Sequence, residues 1–285
     1  MKKYVRSLLT VFIALMLLVA FRPATAEAKK ITVVSKAVHK SYSNGKLSSE
    51  NTVTYSYNKK GLLAKKRTYN TDYYGSIAGG SYSDTKYNYN KANKLIKITE
   101  TNAGTGYKNV FKISYRKNGH IKSTVRKETN GASSTYKYYY KSGAKTPYKA
   151  VCIEPDLYSD RITTISYTYD SVLGIVKATE TDIATESPIN APSWEYNRVY
   201  YTSGTLAGFA KSGLDYHTLF ECKYSTYKKG LYITCTENRG AAGKIYSTYT
   251  LKNIEVKNSL ADYIQKQQYC IRGGLSMPGY YGMIY

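Results

Sequence analysis

The sequence predicts an all-β protein, an antiparallel meander of about seven tyrosine-rich hairpin repeats that forms an extended or curled sheet. Tyrosine supplies 34 of the 285 residues, against five phenylalanines and one tryptophan, and proline occurs only six times. Tyrosine suits a half-buried strand, because its ring packs while its hydroxyl reaches water or a backbone partner. A short motif that recurs along the chain predicts the hairpin turns between the strands.

The first 28 residues have the three parts of a secretory signal peptide. Residues 1–6 are a basic head, and residues 8–21 are almost wholly apolar. The tail holds two overlapping small-x-small cleavage sites, one ending at Ala26 and one at Ala28. A membrane anchor is the competing interpretation, but this apolar run is shorter than the roughly twenty residues that span a bilayer. We therefore expect a secreted, extracellular protein with no transmembrane segment after cleavage.

The repeat is two tyrosines one residue apart, a polar residue, a short turn that usually holds glycine, an aliphatic residue, and a basic, threonine-rich run. Internal periodicity of this kind decides the architecture of a chain. Seven copies occur at intervals of about 25 to 32 residues. They cover residues 55–63, 87–96, 114–121, 138–143, 167–175, 200–204 and 224–231.

Each copy reads as one hairpin. Asparagine or aspartate after the second tyrosine, such as Asn58, opens a type I turn by bonding the backbone two residues on. Glycine three residues later, such as Gly61, takes the positive φ that closes a bulged hairpin. Because side chains alternate along a strand, Phe111, Ile113 and Tyr115 share one face and the lysine and serine between them share the other. The sequence thus predicts one packed face and one wet, basic face.

The repeat pattern stops near residue 257. Residues 258–268 predict a short helix with Asn258 or Ser259 as N-cap, and the apolar residues 280–285 predict a last strand or a cap over a sheet edge. We therefore divide the chain into a signal peptide at 1–28, a hairpin repeat domain at 29–257 and a C-terminal cap segment at 258–285.

Four cysteines, Cys152, Cys222, Cys235 and Cys270, are candidates for disulfides in an exported protein. Three pairings are open. The spacing contains no CxxC or CxxH pair, so it does not favour a metal site.

Cys222 and Cys235 flank one predicted hairpin, and the turn length decides whether they meet. A three-residue bulged loop after Tyr227 would place Cys222 opposite Thr236 and direct Cys235 to the other face. A tight two-residue loop would place the two thiols side by side, but the turn lacks the glycine or asparagine that such a loop prefers.

The unit tyrosine, x, tyrosine, aspartate or asparagine, x, x, glycine resembles the YD repeats of RHS-like secreted repeat proteins. Residues 55–63 and 167–170 carry the likeness best, and it covers most of residues 50–240. The family usually has arginine after the glycine, where this chain has Leu62, His120 and Ile175. The resemblance implies hairpin architecture and a surface-associated, exported protein, and it implies no toxin delivery because the chain has no evident toxin segment.

The sequence predicts no catalytic site, cofactor or metal. It contains no phosphate-binding loop, no nucleophile elbow and no HExxH zinc motif. The three histidines, His39, His120 and His217, lie far apart in sequence, and His120 falls in a hairpin turn. We therefore expect a protein that is not an enzyme.

Charge provides the main functional indication. The formal net charge is +23, and cleavage after Ala28 removes four cations and one acid, which leaves +20. Lysines interleaved with tyrosines favour binding of an anionic cell-envelope polymer or polysaccharide, by attraction that weakens with salt and by sugar stacking on rings. The alternatives are a purely structural secreted scaffold, single-stranded nucleic-acid binding and an unrecognised hydrolase.

Overall fold

The computed structural model describes residues 28–72, 80–144, 147–155, 161–170, 174–182, 189–202, 205–213, 219–227, 232–238 and 244–273. Within these residues, sixteen antiparallel strands follow one another as a meander, each paired with its sequence neighbours. The first strand also pairs with the last, so the sheet closes into a barrel. The predicted all-β meander is confirmed, and its closure is a property that the sequence left open.

The elements follow chain order. The first eight strands are β1 Ala28–Ser43, β2 Lys46–Tyr57, β3 Leu63–Asp72, β4 Gly80–Tyr89, β5 Leu95–Asn102, β6 Lys108–Tyr115, β7 Ile121–Glu128 and β8 Ser133–Tyr139. The next eight are β9 Lys149–Glu154, β10 Arg161–Asp170, β11 Gly174–Asp182, β12 Ile189–Thr202, β13 Thr205–Gly213, β14 Leu219–Tyr227, β15 Tyr232–Asn238 and β16 Lys244–Lys257. One helix, α1, spans Asn258–Gly273.

The seven sequence repeats correspond to seven hairpins, from β2–β3 to β14–β15. In the first two, a pair of tyrosines ends the first strand and a leucine begins the second: Tyr55 and Tyr57 precede Leu63, and Tyr87 and Tyr89 precede Leu95. In the third, Tyr115 alone ends β6 and Ile121 begins β7. The connections of the first three hairpins therefore lie at one end of the barrel, which we call the repeat-turn end. The connections β1–β2 (Asn44–Gly45), β5–β6 and β7–β8 lie at the opposite end.

The predicted turn chemistry is confirmed in the first hairpin. Asn58 Oδ1 accepts hydrogen bonds from the backbone N–H groups of Lys60 and Leu62, at 2.9 and 3.1 Å. Gly61 closes the turn with φ of 82°. In the second hairpin, which lacks glycine, Asn93 takes that conformation with φ of 63°, because asparagine tolerates the left-handed region better than most residues do.

The barrel closes along the seam between β1 and β16, which pair from Ala28 opposite Lys257 to Tyr42 opposite Lys244. A bulge between Val34 and Lys36 interrupts this ladder. The backbone N–H of Val34 donates to Gln268 Oε1 of α1 at 2.7 Å. The bulge thus diverts a backbone donor from the ladder and joins the seam to the helix.

The predicted C-terminal helix is confirmed, and it continues beyond residue 268 to Gly273. Its apolar side packs against the repeat-turn end of β1, β2 and β16. Val33, Leu62, Val256, Ala261 and Ile264 form a buried cluster there, each at most 3% exposed. The helix therefore covers one end of the first hairpins and the seam.

The register of β14 and β15 corrects the predicted cysteine geometry. Tyr227 pairs with Tyr232, so four residues separate the strands instead of three. Cys222 is consequently opposite Glu237 rather than Thr236, and Cys235 is opposite Tyr224. The two cysteines therefore occupy positions of the same parity, two steps apart on the ladder, and are not directly opposed.

Several predictions remain predictions. The signal peptide before Ala28, its cleavage site at Ala26, His217 and residues 280–285 lie outside the described residues. Ala28 is the first residue of β1, where it pairs with Lys257. Cys152 lies in β9, and Cys270 lies in α1.

Candidate functional site

The sheet has a packed face and an open face, as the sequence alternation predicted. In β6, Phe111 and Ile113 are 3% and 6% exposed, while Lys112 between them is exposed. The same alternation occurs in β8, where Tyr136 and Tyr138 are buried and Lys137 is exposed. Because strand side chains alternate, each ladder position presents one set of residues inward and the other to solvent.

The repeat tyrosines lie on the packed face, and their hydroxyls join successive hairpins. Tyr89 donates to the backbone carbonyl of Leu63 at 2.9 Å, and Tyr115 donates to that of Leu95 at 2.7 Å. Leu63 and Leu95 each begin the return strand of the preceding hairpin. The second tyrosine of one repeat therefore fastens to the repeat before it, and we call these contacts the tyrosine tethers.

The tethers continue at both ends of this series. Tyr57 donates to the carbonyl of Val34 at 2.7 Å, at the seam bulge. The hydroxyl of Tyr140 bonds to the backbone of Ile121, the first residue of β7. Burial raises the pKa of these tyrosines above the ordinary value for a phenol, chiefly because the charged form loses its hydration. They remain neutral hydrogen-bonding groups at physiological pH.

Acidic side chains of β5 and β7 also belong to the packed face. Glu100 and Glu128 occupy one ladder row, on either side of Asn109. Glu128 pairs with Arg126 at 2.6 Å and accepts a hydrogen bond from Tyr107. Lys66 lies in the same row. Burial lowers its pKa, and nearby Glu100 partly offsets that shift.

The open face of β3 to β8 is correspondingly basic. Its ladder-paired positions carry eight cations and one acid, Asp84, among the side chains that the structure describes. Five lysines form a continuous line across β3 to β7, and we call them the basic band: Lys65, Lys86, Lys97, Lys112 and Lys127. The flanking cations are Arg67, Lys108 and Lys137.

Like charges are directly opposed within the basic band. Lys65 is paired with Lys86, and Lys97 is paired with Lys112. Directly opposed Cβ atoms are about 4.5–5.5 Å apart, and opposed like charges destabilise a sheet. Lys86 and Lys97 are diagonal neighbours, because Lys86 faces Thr99. Four strand spacings of about 4.8 Å give the band a length of roughly 19 Å.

Asp84 is the one neutralising group at the edge of the band. Arg67 donates to it twice, from Nε to Oδ1 at 2.8 Å and from Nη2 to Oδ2 at 2.9 Å. Lys65 Nζ lies 3.0 Å from Oδ2. The hydrogen bond from Arg67 is the main reason that the pKa of Asp84 lies well below its usual range. Lys86, Lys97, Lys112 and Lys127 make no ion pair with another described residue.

Next to Arg67 and Asp84, two tyrosines project from the open face. Tyr69 and Tyr82 are directly opposed on β3 and β4, and they are 37% and 50% exposed. Their ring centroids are 4.8 Å apart with an interplanar angle of 44°. They lie outside the YxY motif, so the repeat pattern gave no prediction of where they lie.

The histidines that lie in described segments have structural surroundings. His39 Nδ1 is 2.7 Å from Ser247 Oγ, across the seam. His120 lies in the turn between β6 and β7, as predicted, and stacks on Tyr140 at 4.6 Å. The described residues contain no group of three or more histidine, cysteine or acidic side chains that could hold a metal ion.

Cys152 is buried on the packed face in β9. It is directly opposed to Tyr136, and its sulfur lies 4.0 Å from Glu154 Oε1. Its role in a disulfide stays a prediction, as do the roles of the other three cysteines.

No family model matches this sequence, and no curated protein matches it. The fold is similar to that of a porin-like protein from Bacteroides uniformis ATCC 8492, with a TM-score of 0.46 and 12% identity over 77% of this chain and 98% of that one. No helix in the described segments is long and apolar enough to cross a membrane.

Proposed function

We propose that this chain is an exported, non-catalytic repeat protein of the cell surface or cell wall that binds an anionic polymer through its open face. The observation that carries the proposal is the basic band, in which Lys97 and Lys112 are directly opposed and neither makes an ion pair with another described residue. A sheet gains no stability from that arrangement, so an external anion is the partner that would offset the repulsion.

The distribution of acids supports the same proposal. Glu100 and Glu128 could neutralise the lysines of β5 to β7 if they lay on the open face, but they lie on the packed face. Across β3 to β8 the open face is therefore strongly positive. A surface of one charge attracts an oppositely charged chain over a distance set by the Debye length, about 10 Å at 0.1 M salt.

The test is binding to isolated cell walls and to a soluble anionic wall polymer such as teichoic acid, over a salt series. The band variant replaces Lys86, Lys97, Lys112 and Lys127 with glutamine. The matched control replaces Lys59, Lys91, Lys117 and Lys141, all exposed in the repeat turns, with the same loss of charge.

We expect the band variant to lose affinity by about tenfold or more at low salt and to show a weaker salt dependence. The affinity of the control variant should stay close to that of the parent protein, because the lysines it replaces are spread along the repeat-turn end of the barrel. Equal losses in the two variants would show that net charge alone is responsible. If the parent protein shows no salt-sensitive retention, the proposal fails and a purely structural secreted scaffold takes its place.

A further inference from the structure

We propose that Tyr69 and Tyr82 form a sugar-stacking platform beside the basic band, so that the polymer bound by this face is an anionic glycan. This inference rests on the proposed function and names its ligand class. Tyr69 and Tyr82 are opposed on the open face, two positions along their strands from Arg67 and Asp84. A polymer lying on the band would therefore meet an exposed aromatic surface at its β3–β4 end.

Gly80 sets the orientation of the platform. A Cβ added at Gly80 would lie 2.2 Å from the Tyr69 hydroxyl oxygen and 2.7 Å from Cε2 and Cζ of its ring. The outer part of the Tyr69 ring therefore lies over the Gly80 backbone, where any side chain would displace it. An aromatic ring that covers a strand glycine lies low against the sheet, which turns its other side towards solvent.

Stacking on the C–H groups of a sugar needs such an accessible aromatic surface. The 44° angle between the two rings makes a shallow angled surface rather than a closed stack, and half of the Tyr82 side chain remains exposed. Beside it, Arg67 and Asp84 offer a guanidinium and a carboxylate, which can bond to hydroxyl groups. Bare polyphosphate would use the lysines and Arg67 but would gain nothing from the tyrosine rings.

A second exposed tyrosine pair provides a comparison within the molecule. Tyr42 and Tyr246 pack edge to face, with centroids 5.5 Å apart and an interplanar angle of 86°. Tyr246 is 45% exposed, similar to Tyr82. These rings are held at right angles, and no described glycine lies against them, so we do not assign them to the platform.

The experiment measures the affinity of three probes for the full mature chain: a uronate-containing polysaccharide, inorganic polyphosphate and a single-stranded oligonucleotide. The variants are the band variant, Y69A/Y82A, the comparison Y42A/Y246A, and G80A, which keeps both rings but displaces Tyr69. Circular dichroism checks that each variant folds. We expect Y69A/Y82A to weaken polysaccharide binding by about tenfold, as for buried aromatic anchors, and to leave polyphosphate binding within about twofold.

G80A should reproduce part of the polysaccharide loss, and Y42A/Y246A should not. Equal losses in both tyrosine variants would overturn the assignment of the platform to Tyr69 and Tyr82. An oligonucleotide that binds more tightly than the polysaccharide and depends on Tyr69 and Tyr82 would overturn the glycan class. If only the band variant loses affinity, the inference fails while the proposed function stands; if neither loses affinity, both fail.

Discussion

Single hydroxyl groups join neighbouring repeats in this protein. The tether from Tyr115 is the clearest case, since its hydroxyl donates to the carbonyl of Leu95 at 2.7 Å and Leu95 is completely buried. A buried carbonyl that loses its donor keeps the cost of its lost hydration. The hydroxyls of the repeat tyrosines therefore hold hairpins together in addition to the packing of their rings.

Replacement of Tyr115 by phenylalanine should lower the free energy of unfolding by about 1 kcal/mol, because it removes the donor and leaves the ring in place. Urea unfolding measures the change. Tyr139→Phe is the control, since that side chain is 38% exposed on the open face. Equal unfolding midpoints for the two variants would mean that the tether contributes nothing measurable. Polymer binding should be unchanged in both.

For individual residues, the sequence predicted which tyrosine rings lie on the packed face of the sheet, but it did not predict which groups their hydroxyls contact. The alternation in residues 111–115 was sufficient to separate the two faces. The acceptor of Tyr115 lies in the preceding hairpin, and its position depends on how two hairpins are staggered, which no local motif encodes. Tyr69 and Tyr82 lie outside the repeat, and their pairing depends on the register of β3 against β4, which the motif does not encode.

The hairpin turn is the element that the sequence predicted best. The side chain of Asn58 and the positive φ of Gly61 satisfy local rules, so the motif alone was sufficient. Gly61 also has a role that the motif does not reveal. A Cβ there would lie 2.4 Å from Val256 Cγ1 and 3.2 Å from Ile264 Cδ1, on β16 and α1. This turn is therefore packed against the seam and the helix.

Gly61→Ala should destabilise the protein more than Gly45→Ala. Both glycines have positive φ, of 82° and 75°, so each substitution carries a backbone cost of about 1–2 kcal/mol. Gly45 has no atom within 4 Å of an added Cβ, whereas Gly61 would also overpack the cluster around Ile264. Overpacking adds about 1–3 kcal/mol.

Thermal unfolding of the two glycine variants separates the backbone cost from the packing cost. The Gly45 variant measures the backbone cost alone, and the difference between the variants measures the contact of the turn with α1 and β16. A Gly61 variant no less stable than the Gly45 variant would contradict the packing of the helix against this hairpin.

The closed form of the whole molecule depends on contacts that are distant in sequence. Thr32 and Asn253 are 221 residues apart, and their side chains bond across the seam at 2.8 Å. Local turn signals predict hairpins but do not specify whether the first strand meets the last. Four residues separate β14 from β15, one more than the expected loop, and this changes which residues face Cys222 and Cys235 across the ladder. The sequence between these strands does not specify the turn length. Closure and register are thus the parts that sequence patterns could not supply.

Burial of many phenols makes the whole fold sensitive to alkaline pH. Burial raises the pKa of Tyr55, Tyr115, Tyr136 and Tyr138, because the charged phenolate would lose its hydration. A group whose pKa is raised in the folded state contributes full stability below its unfolded pKa, about 10 for tyrosine. That stability is lost as pH rises from about 10 towards the higher folded pKa values.

We therefore expect the urea midpoint to be level from neutral pH to about pH 10 and to fall steadily above it. Lys66 acts in the opposite direction, since its lowered pKa carries a penalty that disappears as pH rises, but it is one group against several tyrosines. Repeating the series at high salt controls for repulsion among the open-face lysines, because burial of a phenol is little screened. Tyr136→Phe should make the decline shallower, since it removes one ionising group. A midpoint that stays level or rises above about pH 10 at high salt would contradict the burial of the tyrosines on the packed face.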